Sequence, residues 1–262
     1  MIDDQSTRVV DVTRSPAGVC RITLNRPDRL NSLTDEMREI LTAELIDLGD
    51  DASISVVVLR GAGRAFCTGA DLEQGFGGTH TWAERRLAAG RWQRLIDLIE
   101  RLPQVTVAEV RRFAIGGGAL LAAACDLRIG SDDLTVALPE LSVGMPLAWG
   151  GIPRLAREIG LPIARDLVMT GRTMHADEAH RTGFVQRLVA DSDLADETER
   201  VVASLLRVPR GTLGITRAAF AAVTRHHTGV DLAWADADVV GWAVAEPDVT
   251  EAIESFRSQR RR

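Results

Sequence analysis

Apolar and polar residues alternate in RVVDVT (8–13) and again in VCRITLN (19–25), and the turn-forming cluster SPAG stands between them. That period of two around a turn predicts a β-hairpin. Thr34 then reads as a helix N-cap, with Asp35 and Glu36 in the first turn and Met37, Ile40, Leu41, Leu45 and Leu48 along one face. SISVVVLRG (53–61) is a short run of β-branched residues, the pattern of a strand buried on both faces. A second amphipathic helix carries Trp92, Leu95, Ile96, Ile99 and Leu102, and Pro103 stops it. VTVAEV (105–110) predicts another buried strand, followed by Gly116, Gly117 and Gly118 and a small-residue helix, ALLAAAC (119–125). CDLRIG (125–130) and LTVALPE (134–140) add strand.

From Gly150 the pattern turns helical through GIPRLAREIG, PIARDLVMTG and ADEAHRTG. Alternating β and α elements predict an α/β core with crossover connections. There is no internal repeat and no Pro/Ser-rich linker, so the expected division is a β/α core over 1–190 and a helical part over 191–262. Trp82, Trp92 and Trp149 either narrow a pocket or fill the core, and Trp92 reads as core.

Composition narrows the function. With 262 residues, 45% apolar, the chain is long enough for a sizeable core, and no run approaches a membrane span. The start, MIDDQSTRVV, lacks the basic-then-apolar pattern of a signal peptide. Cys20, Cys67 and Cys125 are scattered without a C-x-x-C, which argues against a disulfide framework or zinc and for a reducing cytoplasm. The net charge is −6 and the only basic run is the terminal RSQRRR, so nucleic acid is an unsuitable partner. All 31 basic residues are arginine, and lysine and tyrosine are absent, which excludes a lysine Schiff base and a tyrosine acid. The five histidines lack metal-ligand spacing; His175 stands where it would cap a helix, and His226 and His227 read as solvent-facing.

RGAGRAF (60–66) begins like a dinucleotide fingerprint, but Phe66 occupies the place of the third glycine. There is no G-x-S-x-G and no P-loop. Two turns remain, CTGADL (67–72) and IGGGAL (115–120), each with glycine where a strand gives way to a helix. Backbone N–H groups there can point at a ligand, and no Cβ stands in the way. Converging on one atom, they would form an oxyanion hole, each donor worth about 3 kcal/mol in a transition state. Tight helix–sheet packing explains the glycines equally well.

A third stretch, LPELSVGMP (138–146), breaks that balance, because the chain now resembles the enoyl-CoA hydratase/isomerase (crotonase) superfamily. The resemblance runs from about residue 8 to the C-terminus, through ITLNRPDRLNSL (22–33), VVVLRGAGRAFCTGADL (56–72), AIGGGALLAAACDLRI (114–129), LPELSVGMPLAWGGIPRL (138–155) and TGRTMHADEAHRTGFVQRLV (170–189). It implies a crotonase-like α/β fold of repeated β-β-α units, with a C-terminal helical part that builds a homo-trimer or a dimer of trimers. By position it implies that the N–H groups of Ala70 and Gly117 form the oxyanion hole for a thioester carbonyl. It further implies that coenzyme A, as part of an acyl-CoA substrate and with no separate cofactor or metal, lies along Arg26, Arg29 and Ser32. Gly69, Asp71 and Leu72 join that grip, and Gly116, Leu120, Pro139 and Gly144 surround the substrate. A C-terminal segment, often from the neighbouring subunit, holds the nucleotide in this family; Phe256 and Arg260 match it.

Two departures matter. Family hydratases carry two glutamates at the double bond; here Leu120 stands in one place and Glu140 in the other. VRRFA (110–114) replaces a common Asn-Gly pair with Arg111 and Arg112. Hydration divides its proton transfers between two carboxylates, whereas moving a double bond from C3 to C2 needs one base. The site pattern is closest to single-glutamate enoyl-CoA isomerases, with Glu140 as base and Leu120 excluding water and raising its pKa. The alternatives are a hydratase using Glu140 alone or with Glu73 or Glu84, another acyl-CoA reaction, and a non-catalytic acyl-CoA binder.

Overall fold

The computed structural model describes residues 8–73, 81–228 and 235–260, with side chains omitted at 224–228, 259 and 260. The hairpin forms as its alternation predicts, β1 (Val10–Ser15) pairing antiparallel with β2 (Val19–Leu24). Thr34 caps α1 (Asp35–Asp50), its hydroxyl accepting from the Met37 N–H at 3.2 Å, and Met37, Leu41, Leu45 and Leu48 are buried. In β3 (Val56–Gly61) every residue from Val56 to Leu59 is buried, as expected of a strand covered on both faces. α2 (Trp82–Arg101) opens on a capping box between Thr81 and Glu84, and β4 (Val105–Val110) is buried along its length.

Next come β5 (Phe113–Ile115), α3 (Gly117–Ala123), β6 (Leu127–Ser131) and β7 (Thr135–Ala137). α4 (Gly151–Ile159), α5 (Leu161–Thr170), β8 (Thr173–His175), α6 (Ala176–Arg181) and β9 (Arg187–Val189) follow. The chain ends in α7 (Leu194–Leu206), α8 (Arg210–Thr228), α9 (Asp236–Ala243) and α10 (Pro247–Arg260).

The strands form two layers. The larger sheet has the order β1-β2-β3-β4-β6-β9, and all neighbours after the first pair are parallel. The smaller sheet has the order β5-β7-β8. Successive passes of the chain give one strand to the large sheet and the next to the small one, as β4 then β5 and β6 then β7 do. Two isolated bridges, Leu33↔Ala70 and Cys67↔Ala114, extend the small layer back to the earlier turns. Turns far apart in sequence therefore lie side by side. That stacking, rather than any single element, builds the site.

The main core lies between the layers and includes Phe66, Leu95, Ile96, Leu120 and Leu121. A second cluster packs α7 against the far side of the large sheet through Val58, Val107, Leu194 and Val201. A third joins α9 and α10 to Val143 and Met145. Arg128, 1% exposed, closes the C-terminal end of α3, its guanidinium donating to the Cys125 carbonyl at 2.7 Å and pairing with Glu158. The three cysteines are free and buried. Among the described residues, no helix is long and apolar enough to cross a membrane, and no group of side chains could hold a metal ion.

Candidate active site

The two glycine turns meet. Leu33 donates to the Gly69 carbonyl at 2.8 Å and accepts from the Asp71 N–H at 2.9 Å, which leaves the Ala70 N–H outside that bridge. Cys67 accepts from Ile115 N–H at 3.0 Å and its own N–H donates to Phe113, tying the first turn to the second. Gly69 has φ +81°, and a β-carbon there would fall 2.8 Å from the Ile115 carbonyl and 3.2 Å from the Gly117 nitrogen. Gly116, at φ +52°, precedes α3, and Gly117 is its first residue. The Gly117 N–H is thus one of the helix's first donors, which have no partner within the helix. Gly118 packs on the Cys67 backbone, where a β-carbon would come within 2.3 Å of its carbonyl.

The arginines before this turn leave it intact. Arg112 takes the left-handed conformation, φ +52°, that an Asn-Gly pair adopts with little strain. Its N–H donates to Ser131 Oγ at 2.9 Å, and the Arg111 guanidinium pairs with Asp191. The Arg112 guanidinium lies over the Phe113 ring and 3.8 Å from Asp133.

Pro139 begins a 3-10 helix, Pro139–Val143, that presents Glu140 to the same place. A pocket of about 110 Å³ is lined by Ala70, Gly117, Leu120, Glu140, Trp149 and Phe256, among others. Glu140 is the sole carboxylate among the described residues lining it. Burial pushes its pKa up to about 7, and its Oε2 is buried without a hydrogen-bond partner. Leu120, 1% exposed, brings an apolar side chain to the pocket. Cys67 offers no nucleophile, since burial pushes its thiol up to about 12.

The remaining candidates divide by position. Gly69, Leu72, Gly116 and Pro139 line the pocket with the residues above. Arg26 is already engaged, donating to Asp71 at 2.8 Å and to the Ser32 carbonyl and hydroxyl at 2.6 and 3.1 Å. Burial opposes the charge on Asp71, but this guanidinium and the Glu73 and Ser32 donors prevail and lower its pKa. The network fastens the Arg26–Leu33 segment to the residue after Ala70. Gly144, at φ +74°, ends the 3-10 helix and lets α10 approach, a β-carbon there lying 3.2 Å from Val249 Cα. The Arg260 side chain lies outside the described residues. Phe256 reaches the pocket of its own chain, and Arg257 donates to the Leu72 carbonyl.

Neither Glu73 nor Glu84 is among the described residues that line the pocket. Glu73 pairs with Arg29 at 3.0 Å, both of them exposed, and Glu84 accepts from the Thr81 N–H and hydroxyl in the capping box. The intervening residues 74–80, QGFGGTH, contain no acid. His175 occupies an N-cap position without a side-chain cap bond. Trp82 is exposed, with Arg86 over its ring, and Trp92 is packed against the core. His80, His226 and His227 lie outside the described side chains.

Of the two roles left open for Trp149, pocket wall or core, it takes the wall, at left-handed φ +58° and stacked on Trp92 with ring centroids 4.8 Å apart. The AWGG run around it gave the one available signal.

Two glycine turns thus meet beside a buried glutamate on a two-layered fold, and the comparisons say which class of enzyme this is. The family model for enoyl-CoA hydratase/isomerase matches residues 14–262, and the chain belongs to that family. It is 37% identical over 184 residues, 70% of each chain, to a Mycobacterium tuberculosis protein named "Probable enoyl-CoA hydratase". It is 31% identical to a crotonyl-CoA hydratase of Syntrophomonas wolfei, over 91% of each chain. An enoyl-CoA hydratase/isomerase structure from Xanthobacter autotrophicus superposes with a TM-score of 0.87 at 26% identity, covering 96% of this chain and 93% of that one.

Proposed function

We propose that this protein moves a carbon–carbon double bond within an acyl-CoA thioester, converting a 3-enoyl-CoA to a 2-enoyl-CoA, with Glu140 as the only base. The observation that carries this reading is one buried carboxylate, its pKa raised to about 7, sharing its pocket with Leu120 and no second acid among the described residues. Ionised Glu140 takes a proton from C2, and the electron pair moves into the thioester to give an enolate. The N–H groups of Ala70 and Gly117 hold the enolate oxygen. Protonated Glu140 then returns its proton at C4, and the double bond closes between C2 and C3. A pKa near neutrality suits a group that must both accept and release a proton. The apolar Leu120 wall keeps water from the enolate.

Coenzyme A enters as part of the substrate, with Arg26, Arg29, Ser32 and the α10 residues at the pocket mouth as its grip. The exposed apolar residues Ile215, Phe220 and Val223 on α8 suit burial against further copies of the chain in a trimer or dimer of trimers. Light scattering on the purified protein tests that assembly.

The hydratase names of several relatives favour a second reading, hydration by Glu140 alone. Supplying 3-enoyl-CoA and, separately, 2-enoyl-CoA decides between the two. Isomerisation of the first, with hydration of the second slower by about 100-fold or more, supports the single-base mechanism. Hydration as fast as isomerisation overturns it. Tight acyl-CoA binding without turnover of either substrate, unchanged in Glu140→Gln, would describe a binding protein.

A further inference from the structure

The pocket wall beside the two turns is a residue the proton chemistry does not use. Trp149 is held in a left-handed backbone conformation, φ +58°, that is unusual for a bulky side chain. Its ring stacks on Trp92 at an interplanar angle of 11°. Its carbonyl accepts from Arg154 Nη1 at 2.7 Å, and the following Gly150 N–H donates to Asp236 at 2.6 Å. Arg154 is itself fixed by Asp97 and Glu100. The ring rests directly on Gly117, where a β-carbon would fall 2.3 Å from Cζ3. Any swing of the Trp149 ring breaks the stack, and the two clamps on its peptide fix the backbone that aims it.

We infer that Trp149, backed by Trp92, sets the acyl-chain length and restricts the enzyme to short-chain acyl-CoA thioesters. This rests on the acyl-CoA reading above and adds a chain length to it. The pocket of about 110 Å³ is small beside the roughly 300–1,000 Å³ of clefts that take drug-sized ligands. A longer tail would have to enter the volume the two indoles fill. Deleting the outer indole joins that volume to the pocket and leaves Trp92 as the new wall.

The inference is tested by calorimetric binding of saturated acyl-CoA thioesters from acetyl to decanoyl, with free coenzyme A alongside. Each methylene moved from water into apolar space tightens binding about fourfold, so a wall appears as the length at which that gain stops. In the wild-type protein the gain is expected to end at a short chain, with decanoyl-CoA bound about tenfold or more weaker than the best thioester. Trp149→Ala should raise decanoyl-CoA affinity relative to butyryl-CoA by about tenfold or more. Trp92→Leu lets the outer ring retreat and should move the break point to a longer chain, while free coenzyme A binds both variants as it binds the parent. Decanoyl-CoA bound by the wild type as tightly as butyryl-CoA overturns the inference, and so does an unmoved break point in the folded variants. The wild-type series and Trp92→Leu decide the matter if Trp149→Ala does not fold. If neither free coenzyme A nor any thioester binds, it is the acyl-CoA reading itself that fails.

Discussion

Gly116 and Glu140 share one volume: a β-carbon on Gly116 would lie 2.8 Å from Glu140 Oε1. The glycine is the space into which the carboxylate reaches, and its φ of +52° independently disfavours any side chain. Gly116→Ala should therefore displace the base and strain the turn together. We expect kcat to fall about 100-fold, with stability lower by roughly 1–3 kcal/mol, read by turnover and by urea denaturation.

Glu140→Gln removes the proton acceptor and should lower kcat by about 10²–10⁴-fold. In the wild type, kcat/KM should rise with pH through about 7, as burial-raised Glu140 ionises. Stability runs the other way. The folded protein binds the Glu140 proton more tightly than the unfolded chain does, so ionising it above its ordinary range costs stability. Glu140→Gln should thus exceed the wild type by about 1–3 kcal/mol at pH 8. The difference should shrink toward pH 5, as denaturation curves at the two pH values can establish.

Leu120→Glu restores a second carboxylate to the pocket. Hydration of 2-enoyl-CoA should rise about tenfold or more. The buried position should cost roughly 2–4 kcal/mol of stability. Product analysis with a thermal melt checks both.

Much of this architecture is written locally. The Thr34 cap, the β-branched run of β3 and the glycines of both turns each follow from a short stretch, because each answers a local backbone demand. The carboxylate in the pocket, Glu140, was legible through its place after Pro139. The pairing that removes Glu73 and the capping box that occupies Glu84 were less so, since each depends on where the neighbouring arginine or threonine points. Trp149 was least legible. Its left-handed backbone is held by Trp92, Arg154 and Asp236, from three different helices, and no spacing rule links them.

The Arg26–Asp71 bond, 2.8 Å, ties the proposed coenzyme A segment to the turn carrying Ala70. Arg26→Ala leaves Asp71 without its cation and loosens the join between the segments, which then rests on backbone bonds such as those of Leu33. KM for the acyl-CoA should rise and kcat should fall, each by about tenfold, whereas Arg14→Ala, at an exposed pair with Glu44, should change neither. Steady-state kinetics on the two variants makes the comparison.

Arg128→Met removes the cation from the carbonyls that end α3, while Glu158 keeps its bond from Arg157 Nε at 2.6 Å. Leaving those buried carbonyls without their charged donor costs about 1.5–3 kcal/mol, so the variant should unfold at lower denaturant. The shift in midpoint measures it.

The roof of the pocket comes from α9 and α10. Val240 and Phe256 line it, Val249 and Ile253 pack on Val143 and Met145, and Arg257 latches onto Leu72. During synthesis both glycine turns and Glu140 leave the ribosome long before that cover exists. Until α10 docks, the carboxylate stands open to water, without the burial that raises its pKa. Docking of α10 is then the moment of commissioning: it supplies the burial on which the proposed proton chemistry depends.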